Sequence, residues 1–505
     1  MSNPPLSREA MKQTAFYTAL FSLLAHGYRF LNMSFSGDST LISQAEEVAY
    51  QTAIGRYLQP VLWQIRGTIT APLTIGLFAT AALIGAALMI VSLLGLKTRA
   101  QIMLTCGILA TNETLSVSYA TYLPWVDVYM IAFFFAMLGV YVSARWRHGI
   151  WLSPVFYMIS LGLYQSYLQT AVVMIILLLM QRLFDGERPG VIWLDGVKAC
   201  LALLAGLLLY AAGLKLVLRA MGLKALNDYN GVSHVGVMSL SEIPGLLRDT
   251  YLYPFAFFAR SAQDSVIPPV ITAALLLASL PALLIRAKGL SAPARLTLLF
   301  LFAVLPLGAN FVAFISKGIV HPLMVYAFFF LYIGAIALWN REDSDRFAHR
   351  LAGGFLRASR TLCALLLGAA LFMNIVTANQ LYLRRDLELY STHAAATRIL
   401  ERIDAVEGYI PGETPVCFVG YLPSSRIGFV RPGFEELSNL QGMKYTYAAA
   451  YETATPWYYR MILGYPIRFV GTDILYKTRD TGRILPRFPD EGCCAIIDGV
   501  LYVHL

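Results

Sequence analysis

The stretch PLTIGLFATAALIGAALMIVSLLG, residues 72–95, decides the fold: it carries no charged side chain in 24 residues. As a helix it is long enough to cross the roughly 30 Å hydrocarbon core of a bilayer. Its apolar run is continuous rather than alternating over about 10 residues, so it reads as a membrane helix and not as a strand of a transmembrane barrel. Runs of the same kind recur near 12–31, 100–117, 124–143, 149–165, 167–184, 193–218, 266–285, 294–315, 319–339 and 359–379. The expectation is an α-helical polytopic membrane protein with about 11 transmembrane helices.

Composition points the same way. Of the 505 residues, 57% are apolar and 14% are charged, against roughly 45–50% and 25% in soluble domains. Disordered, collagen-like and disulfide-scaffold chains are excluded. The net charge of +9 is not a nucleic-acid footprint, because residues 380–505 hold 13 Lys and Arg against 14 Asp and Glu, leaving 26 basic and 16 acidic groups in the first 379. The surplus lies between apolar runs, where topology determinants lie. One alternating set of connecting segments carries 17 of those 26 basic residues, from Arg8 and Lys12 through Arg145, Arg182 and Arg286 to Arg360. That bias predicts a cytoplasmic N-terminus and, with an odd number of spans, a C-terminal domain on the outer, periplasmic side of a multi-pass inner-membrane protein. The first run lacks a small-x-small site, with Phe30-Leu31-Asn32-Met33 following it, and reads as an uncleaved anchor.

Two units follow: residues 1–379, a transmembrane unit with long outer loops at 32–71 and 219–265, and residues 380–505, a small outer α/β domain. In the first loop Val48, Ile54, Tyr57, Leu58, Val61 and Leu62 recur at helical spacing, which predicts an amphipathic helix on the membrane surface. In the tail, Asp386 to Glu407 reads as a helix running out of the last span, Pro415 to Gly420 as a buried strand, Thr446 to Leu463 as a helix, and Ala495 to Leu505 as a hairpin turning at Asp498-Gly499. Two readings fit Tyr447, Tyr451, Trp457, Tyr458 and Tyr459 in that helix: stacking on a glycan, or core packing. Cys417, Cys493 and Cys494 lie in the outer domain, where either a disulfide from Cys417 to one of the pair or three buried thiols would fit. No metal-ligand spacing is present.

Ionisable groups near the hydrocarbon are candidate functional residues. Asp38, just past the first run, is either a general base at the mouth of a cavity or an N-cap. Glu113 and Asp127 bracket a hairpin with Tyr119, Tyr122 and Trp125, which suits either sugar binding or an interfacial aromatic belt. Tyr164, Gln165 and Tyr167 close the fifth run, where Gln165 requires a hydrogen-bond partner. Arg56, Arg66, Lys317 and His321 are outer-side groups suited to a lipid phosphate, or in the case of Lys317 to snorkelling. No P-loop is present, and a sugar donor used on the outer side must be lipid-borne.

With Asp38, Gly55-Arg56-Tyr57-Leu58, the Tyr119 to Asp127 segment, Gly162-Leu163-Tyr164-Gln165-Ser166-Tyr167-Leu168, Pro486-Arg487-Phe488-Pro489 and the final Asp498 to Leu505 hairpin, the chain resembles the bacterial type II O-antigen glucosyltransferase family of the GT-C superfamily. The resemblance implies a membrane hexosyltransferase that takes glucose from polyprenyl-phosphate glucose and passes it to a lipid-linked or polymeric surface glycan, the O-antigen of lipopolysaccharide. Asp38 would be the general base of an inverting displacement, with Glu46, Glu47, Glu113 and Asp127 in reserve. Arg56, Lys317 and His321 would hold the leaving phosphate, with no metal or other cofactor. A donor synthase, a flippase and membrane lipid would be its partners. The family often carries two adjacent acids in the first loop, where this chain has Gly37-Asp38, and Lys317 stands where arginine is expected. The rival readings are a lipid or polysaccharide transporter, which needs a polar path that the apolar Val172 to Leu179 stretch opposes, and an accessory envelope protein in which Asp38 is dispensable.

Overall fold

The computed structural model describes residues 6–33, 43–224, 239, 241–259, 266–339, 350–422, 458–470 and 480–505. The chain opens with α1 (Arg8–Leu31), capped by the Ser7 hydroxyl on the Ala10 amide. Two short helices follow, α2 (Val48–Ala53) and α3 (Gln59–Arg66), and then α4 (Pro72–Leu93). Next come α5 (Arg99–Thr111), α6 (Glu113–Thr121), α7 (Val126–Arg145), α8 (Gly149–Leu163), α9 (Leu168–Phe184) and α10 (Pro189–Ala220). The second half holds α11 (Ile243–Ala259), α12 (Pro269–Lys288), α13 (Ala292–Ile315), α14 (Phe330–Ala337) and α15 (Arg350–Asp404).

Seven segments of the described residues are long and apolar enough to cross a membrane: Pro72–Leu93, Leu123–Arg145, Gln165–Phe184, Pro189–Ala220, Pro269–Lys288, Ala292–Ile315 and Gly354–Asp404. The expected count of 11 is not reached, and each shortfall has a local cause. Helix α1 has the length, but it turns a polar stripe of Thr14, Thr18, Ser22, His26 and Arg29 into the protein. The expected third run breaks at Asn112, whose extended backbone ends α5. The same side chain donates to the Ile108 and Leu109 carbonyls and accepts from the Leu115 amide, so it closes one helix and caps the next. Helix α8 has 15 residues, about 22 Å of rise. The tenth run is built from 3₁₀ turns at Pro322–Met324 and Tyr326–Phe329 and the short α14.

Helix α7 is the centre of the membrane unit, packed between α4, α8 and α9. Helix α10 lies at its edge, with Leu201 and Leu208 about 60% exposed, as a lipid-facing surface requires.

The first long loop departs from expectation. It does not form one surface helix. Gly55, at φ 91°, separates α2 from α3, and Ile54, Tyr57, Gln59 and Trp63 are buried against the bundle while Val61 and Ile65 face outward. The hydrophobic periodicity is real, but the loop's buried backbone is hydrogen-bonded to the end of α8, which draws the segment inward.

The 55-residue α15 leaves the membrane unit and continues without a break into the C-terminal domain. There Ala395, Ala396, Ile399 and Ile403 enter a core with Val416, Phe418, Tyr459, Leu501 and Val503. The sheet has the order β2 (Arg468–Phe469), β1 (Pro415–Val419), β4 (Val500–His504), β3 (Cys494–Ile497). Strand β1 runs parallel to β2 and β4, and β3 pairs antiparallel with β4. Alternate residues of β1 face opposite sides, with Val416 and Phe418 toward α15 and Cys417 and Val419 toward Tyr502, so both faces are covered. The β3–β4 turn is Asp498-Gly499, both at positive φ, the geometry of a tight hairpin turn. The expected strand, hairpin and emerging helix are therefore all found. Of the expected Thr446–Leu463 helix, residues 446–457 with Tyr447, Tyr451 and Trp457 lie outside the described residues. Tyr458 and Tyr459 are buried in the domain core.

Cys417, Cys493 and Cys494 are present as thiols rather than as a disulfide. Strand β4 lies between β1 and β3, which separates Cys417 from Cys494 by two strand spacings, roughly 9–10 Å, beyond the reach of a disulfide. Cys493 Sγ and Cys494 Sγ are 3.7 Å apart. The hydrogen bond from Cys494 pulls the Cys493 thiol down to about 7, and its neighbour is raised.

Candidate functional site

Two of the short motifs singled out in the sequence meet at one end of the bundle. The Leu58 amide donates to the Gly162 carbonyl at 3.0 Å, and Gln59 Nε2 donates to the Leu163 carbonyl at 2.8 Å. In the other direction, Gln165 Nε2 donates to the Ile54 carbonyl at 3.2 Å, and the Tyr210 hydroxyl donates to the Gly55 carbonyl at 3.0 Å. Gln165 thus has the partner it requires at membrane depth. Gly162 allows this close approach, since a Cβ there would lie 2.8 Å from the Leu58 side chain, which would have to shift. Burial beside Tyr210 pushes the Tyr57 hydroxyl up to about 12.

This joint places Arg56 over the ring of Tyr164, with the guanidinium carbon 4.8 Å from the centroid. Arg56 Nη1 also donates to Gln51 Oε1 at 3.1 Å, and Gln51 Nε2 donates to Glu47 Oε2 at 3.2 Å. Beneath Tyr164 lies a buried aromatic group: Tyr129 at 4.4 Å, Tyr167 at 5.8 Å and, beyond Tyr167, Tyr326 at 5.4 Å between centroids. A guanidinium over an aromatic face is a group type that suits an anion such as a phosphate.

The Gln165–Tyr167 turn packs against the Pro322–Met324 turn, and Gln169 Nε2 bridges them by donating to the Met324 carbonyl at 2.9 Å. This brings His321 to the same end. Its Nδ1 accepts from the Leu323 amide, which makes Nε2 the protonated nitrogen, 3.1 Å from the Tyr122 hydroxyl. Lys317 is held elsewhere: it sits at φ 52°, 3.6 Å from Glu242 Oε2. The Ser239 backbone amide and Lys317 hold Glu242 below the usual carboxylate range.

The acids are distributed differently from one another. Asp38 lies outside the described residues, as does the side chain of Glu46. Glu113 is buried, and its Oε1 accepts from the Val266 amide at 2.6 Å, tying α6 to the approach to α12. Asp127 Oδ2 forms an ion pair with Arg66 Nε at 2.5 Å with neither side chain exposed. Its Oδ1 accepts from the Val128 amide. Arg66 also donates to the Ile69 and Pro124 carbonyls, which braces the turn holding Trp125. Tyr119 is directed away from the Tyr164 group, stacked at 4.5 Å on His26 of α1.

A second charged cluster lies at the point where α15 leaves the membrane unit. Arg385 and Glu388 are fully buried, and Arg385 donates to Glu388 Oε2 at 2.9 Å and to Thr121 Oγ1 at 2.8 Å. Arg384 donates to Glu388 Oε1. Arg29, also buried, donates to the Tyr119 carbonyl, and the Tyr28 hydroxyl bonds to Asp386. Sequence reasoning missed this group, although the spacing of Arg384, Arg385 and Glu388 puts all three on one turn of helix.

Among the described residues, no three His, Cys, Asp or Glu side chains are grouped as a metal site would be. Arginine, histidine and tyrosine side chains are grouped at this end of the helical bundle. No curated protein and no solved structure matches the chain significantly. The model of one family does, over residues 27–337, a span that includes the Arg56–Tyr164 joint, both partner turns and the 34–42 segment. A bundle of long apolar helices agrees with that match, and the chain belongs to the Glucosyl transferase GtrII family, the membrane glucosyltransferases.

Proposed function

We propose that this glucosyltransferase uses polyprenyl-phosphate glucose as donor and a lipid-linked or growing surface glycan, such as O-antigen, as acceptor, on the periplasmic face. The observation that carries the reading is the Arg56–Tyr164 joint: a cation over an aromatic platform at one end of a membrane bundle, suited to a lipid phosphate beside a sugar ring. The distribution of Lys and Arg along the sequence supports assigning that end to the outer side, with the N-terminus cytoplasmic.

In this reading Asp38 takes the proton from an acceptor hydroxyl. The acceptor oxygen attacks the anomeric carbon as the bond to phosphate breaks, and configuration inverts. Polyprenyl monophosphate leaves, its charge stabilised by Arg56 and His321, while Lys317, expected to share this role, is paired with Glu242 instead. The reaction calls for no metal, since cationic side chains can neutralise a monophosphate. The support for Asp38 is the resemblance of the sequence, in which an acid stands in the first loop within the matched span. Residues 34–42 join α1, whose Arg29 is fixed on the Tyr119 carbonyl, to Ser43, which bridges to Ile69 beside Arg66.

The test is transfer from synthetic polyprenyl-phosphate glucose by the purified full-length protein, wild type beside Asp38→Asn, with EDTA present. Transfer by wild type that drops by at least about 10²-fold in folded Asp38→Asn supports the base assignment. Equal rates would move the base to Glu113, Asp127 or the Glu46–Glu47 pair. A wild type that does not bind the donor would overturn the lipid-donor reading.

A further inference from the structure

Cys493 and Cys494 stand at the start of β3 and take no part in the proposed transfer reaction. Neighbouring residues within a strand point to opposite faces, so two adjacent cysteines inside β3 would not meet. These two do, because Cys493 precedes the strand. Gly492 at φ 78° and the Cys493 amide, which donates to the Asp490 carbonyl at 3.3 Å, turn the chain there. Cys493 enters the core that Ile399 and Ile403 of α15 share, and Cys494 and Ile496 pack against the same core. The two sulfurs are thereby held 3.7 Å apart.

The two thiols differ in access. Cys493 is buried and Cys494 is half-buried, on the strand that ends the sheet order. They also differ in charge. Cys494 donates its S–H to Cys493, and the charge of Arg402 on α15 further favours a thiolate on Cys493. A reachable thiol in contact with a buried thiolate is suited to two-step exchange, in which one sulfur captures a disulfide and the other resolves it.

We propose that Cys493 and Cys494 form a redox modification site that closes reversibly to a vicinal disulfide, with a disulfide-bearing molecule as oxidant. Cys494, its proton passed to Cys493, attacks the oxidant. A mixed disulfide forms and one oxidant thiolate leaves. Cys493 then gives its proton to solvent and attacks Cys494 Sγ. The mixed S–S bond breaks and the second oxidant thiolate leaves. Two thiols are oxidised and one disulfide is reduced, with two electrons and two protons transferred. Adjacent Cα atoms lie about 3.8 Å apart, closer than in ordinary disulfides, so the closed pair is readily reduced again. The proposed outer location of the domain would expose the pair to such oxidants, but its chemistry does not depend on that location.

The test equilibrates the full-length protein in detergent with rising ratios of oxidised to reduced glutathione. The sample is then quenched in acid, unfolded and labelled with a maleimide. Trypsin releases Phe488–Leu505, which contains these two cysteines and no Lys or Arg. The expected peptide is unlabelled and two hydrogens lighter at high ratios, and doubly labelled again after reduction. Wild type unfolded before the equilibration should close about 10-fold less at the same ratio, since the fold no longer holds the sulfurs together. Cys493→Ser should stop at the mixed disulfide on Cys494, and Cys494→Ser should take up glutathione about 10-fold more slowly, because its remaining thiol is buried. Two labels at every ratio, a mixed disulfide that never closes, or equal closure in the unfolded chain would overturn the site. Equal uptake by the two folded variants would overturn the order of the steps. If either variant does not fold, the comparison of folded with unfolded wild type decides alone.

Discussion

Arg66 and Asp127 form an ion pair, 2.5 Å from Nε to Oδ2, with neither side chain exposed. Removing one member leaves the other charge buried without compensation, which costs about 3–5 kcal/mol. Asp127→Ala is therefore expected to lower the unfolding midpoint in detergent sharply, while the double change Arg66→Met with Asp127→Leu recovers most of the loss. In Asp127→Asn, transfer per folded molecule should stay within about tenfold of wild type, short of the ~10²–10⁴ cost of losing a general base. A larger catalytic loss at unchanged stability would return Asp127 to the chemistry.

Arg56 and Tyr164 act as a unit in the proposed donor site. Arg56→Lys should behave like Arg56→Gln, with kcat/KM for transfer down by about 10²-fold, because a lysine ammonium cannot both stack on Tyr164 and reach Gln51. Tyr164→Leu should cost less, in keeping with the ~0.5–2 kcal/mol of a cation–π contact. Near wild-type kcat/KM in Arg56→Lys would remove the stacked geometry from the mechanism.

Gly162 faces the Leu58 and Tyr57 side chains, with its virtual Cβ 2.8 Å and 3.3 Å from them. Gly162→Val is expected to destabilise by about 1–3 kcal/mol through overpacking. It should also raise amide exchange over residues 54–59, where the loop is hydrogen-bonded to the end of α8. Unchanged exchange there, read by mass spectrometry, would show that the loop is held by other contacts.

His26 joins three helices inside the membrane unit. Its two ring nitrogens meet the Tyr382 hydroxyl of α15 at 2.6 Å and the Ala110 carbonyl of α5 at 2.8 Å. His26→Phe should cost about 1–3 kcal/mol, since a buried acceptor and hydroxyl lose their partner. His26→Gln, which can serve one of the two, should cost less. Thermal unfolding of the two variants side by side measures this, and equal losses would mean that ring packing on Tyr119 outweighs the hydrogen bonds.

The helical membrane class, the small C-terminal mixed sheet and the Asp498-Gly499 hairpin were legible from the chain alone. These depend on local chemistry: uninterrupted apolar length, a change in composition near residue 380, and two residues that tolerate positive φ. The number of crossing helices was less legible. The amide of Asn112 splits one apolar run into two helices, and a run's length does not tell whether a polar stripe such as that of α1 faces protein or lipid.

The sequence by itself determined which residue types could bind an anion and a ring, and the short segments Gly55–Leu58 and Gly162–Leu168 in which they stand. Only the tertiary structure decided which of them meet. It put Arg56 on Tyr164 and His321 on Tyr122, tied Asp127 to Arg66, gave Lys317 to Glu242, and gathered Arg29, Arg384, Arg385 and Glu388, which no motif had marked. The reason is physical. A charge buried in a bilayer protein must find a partner, and the partner is chosen by which helix ends the packing brings within about 3 Å, a distance that separation along the chain does not encode.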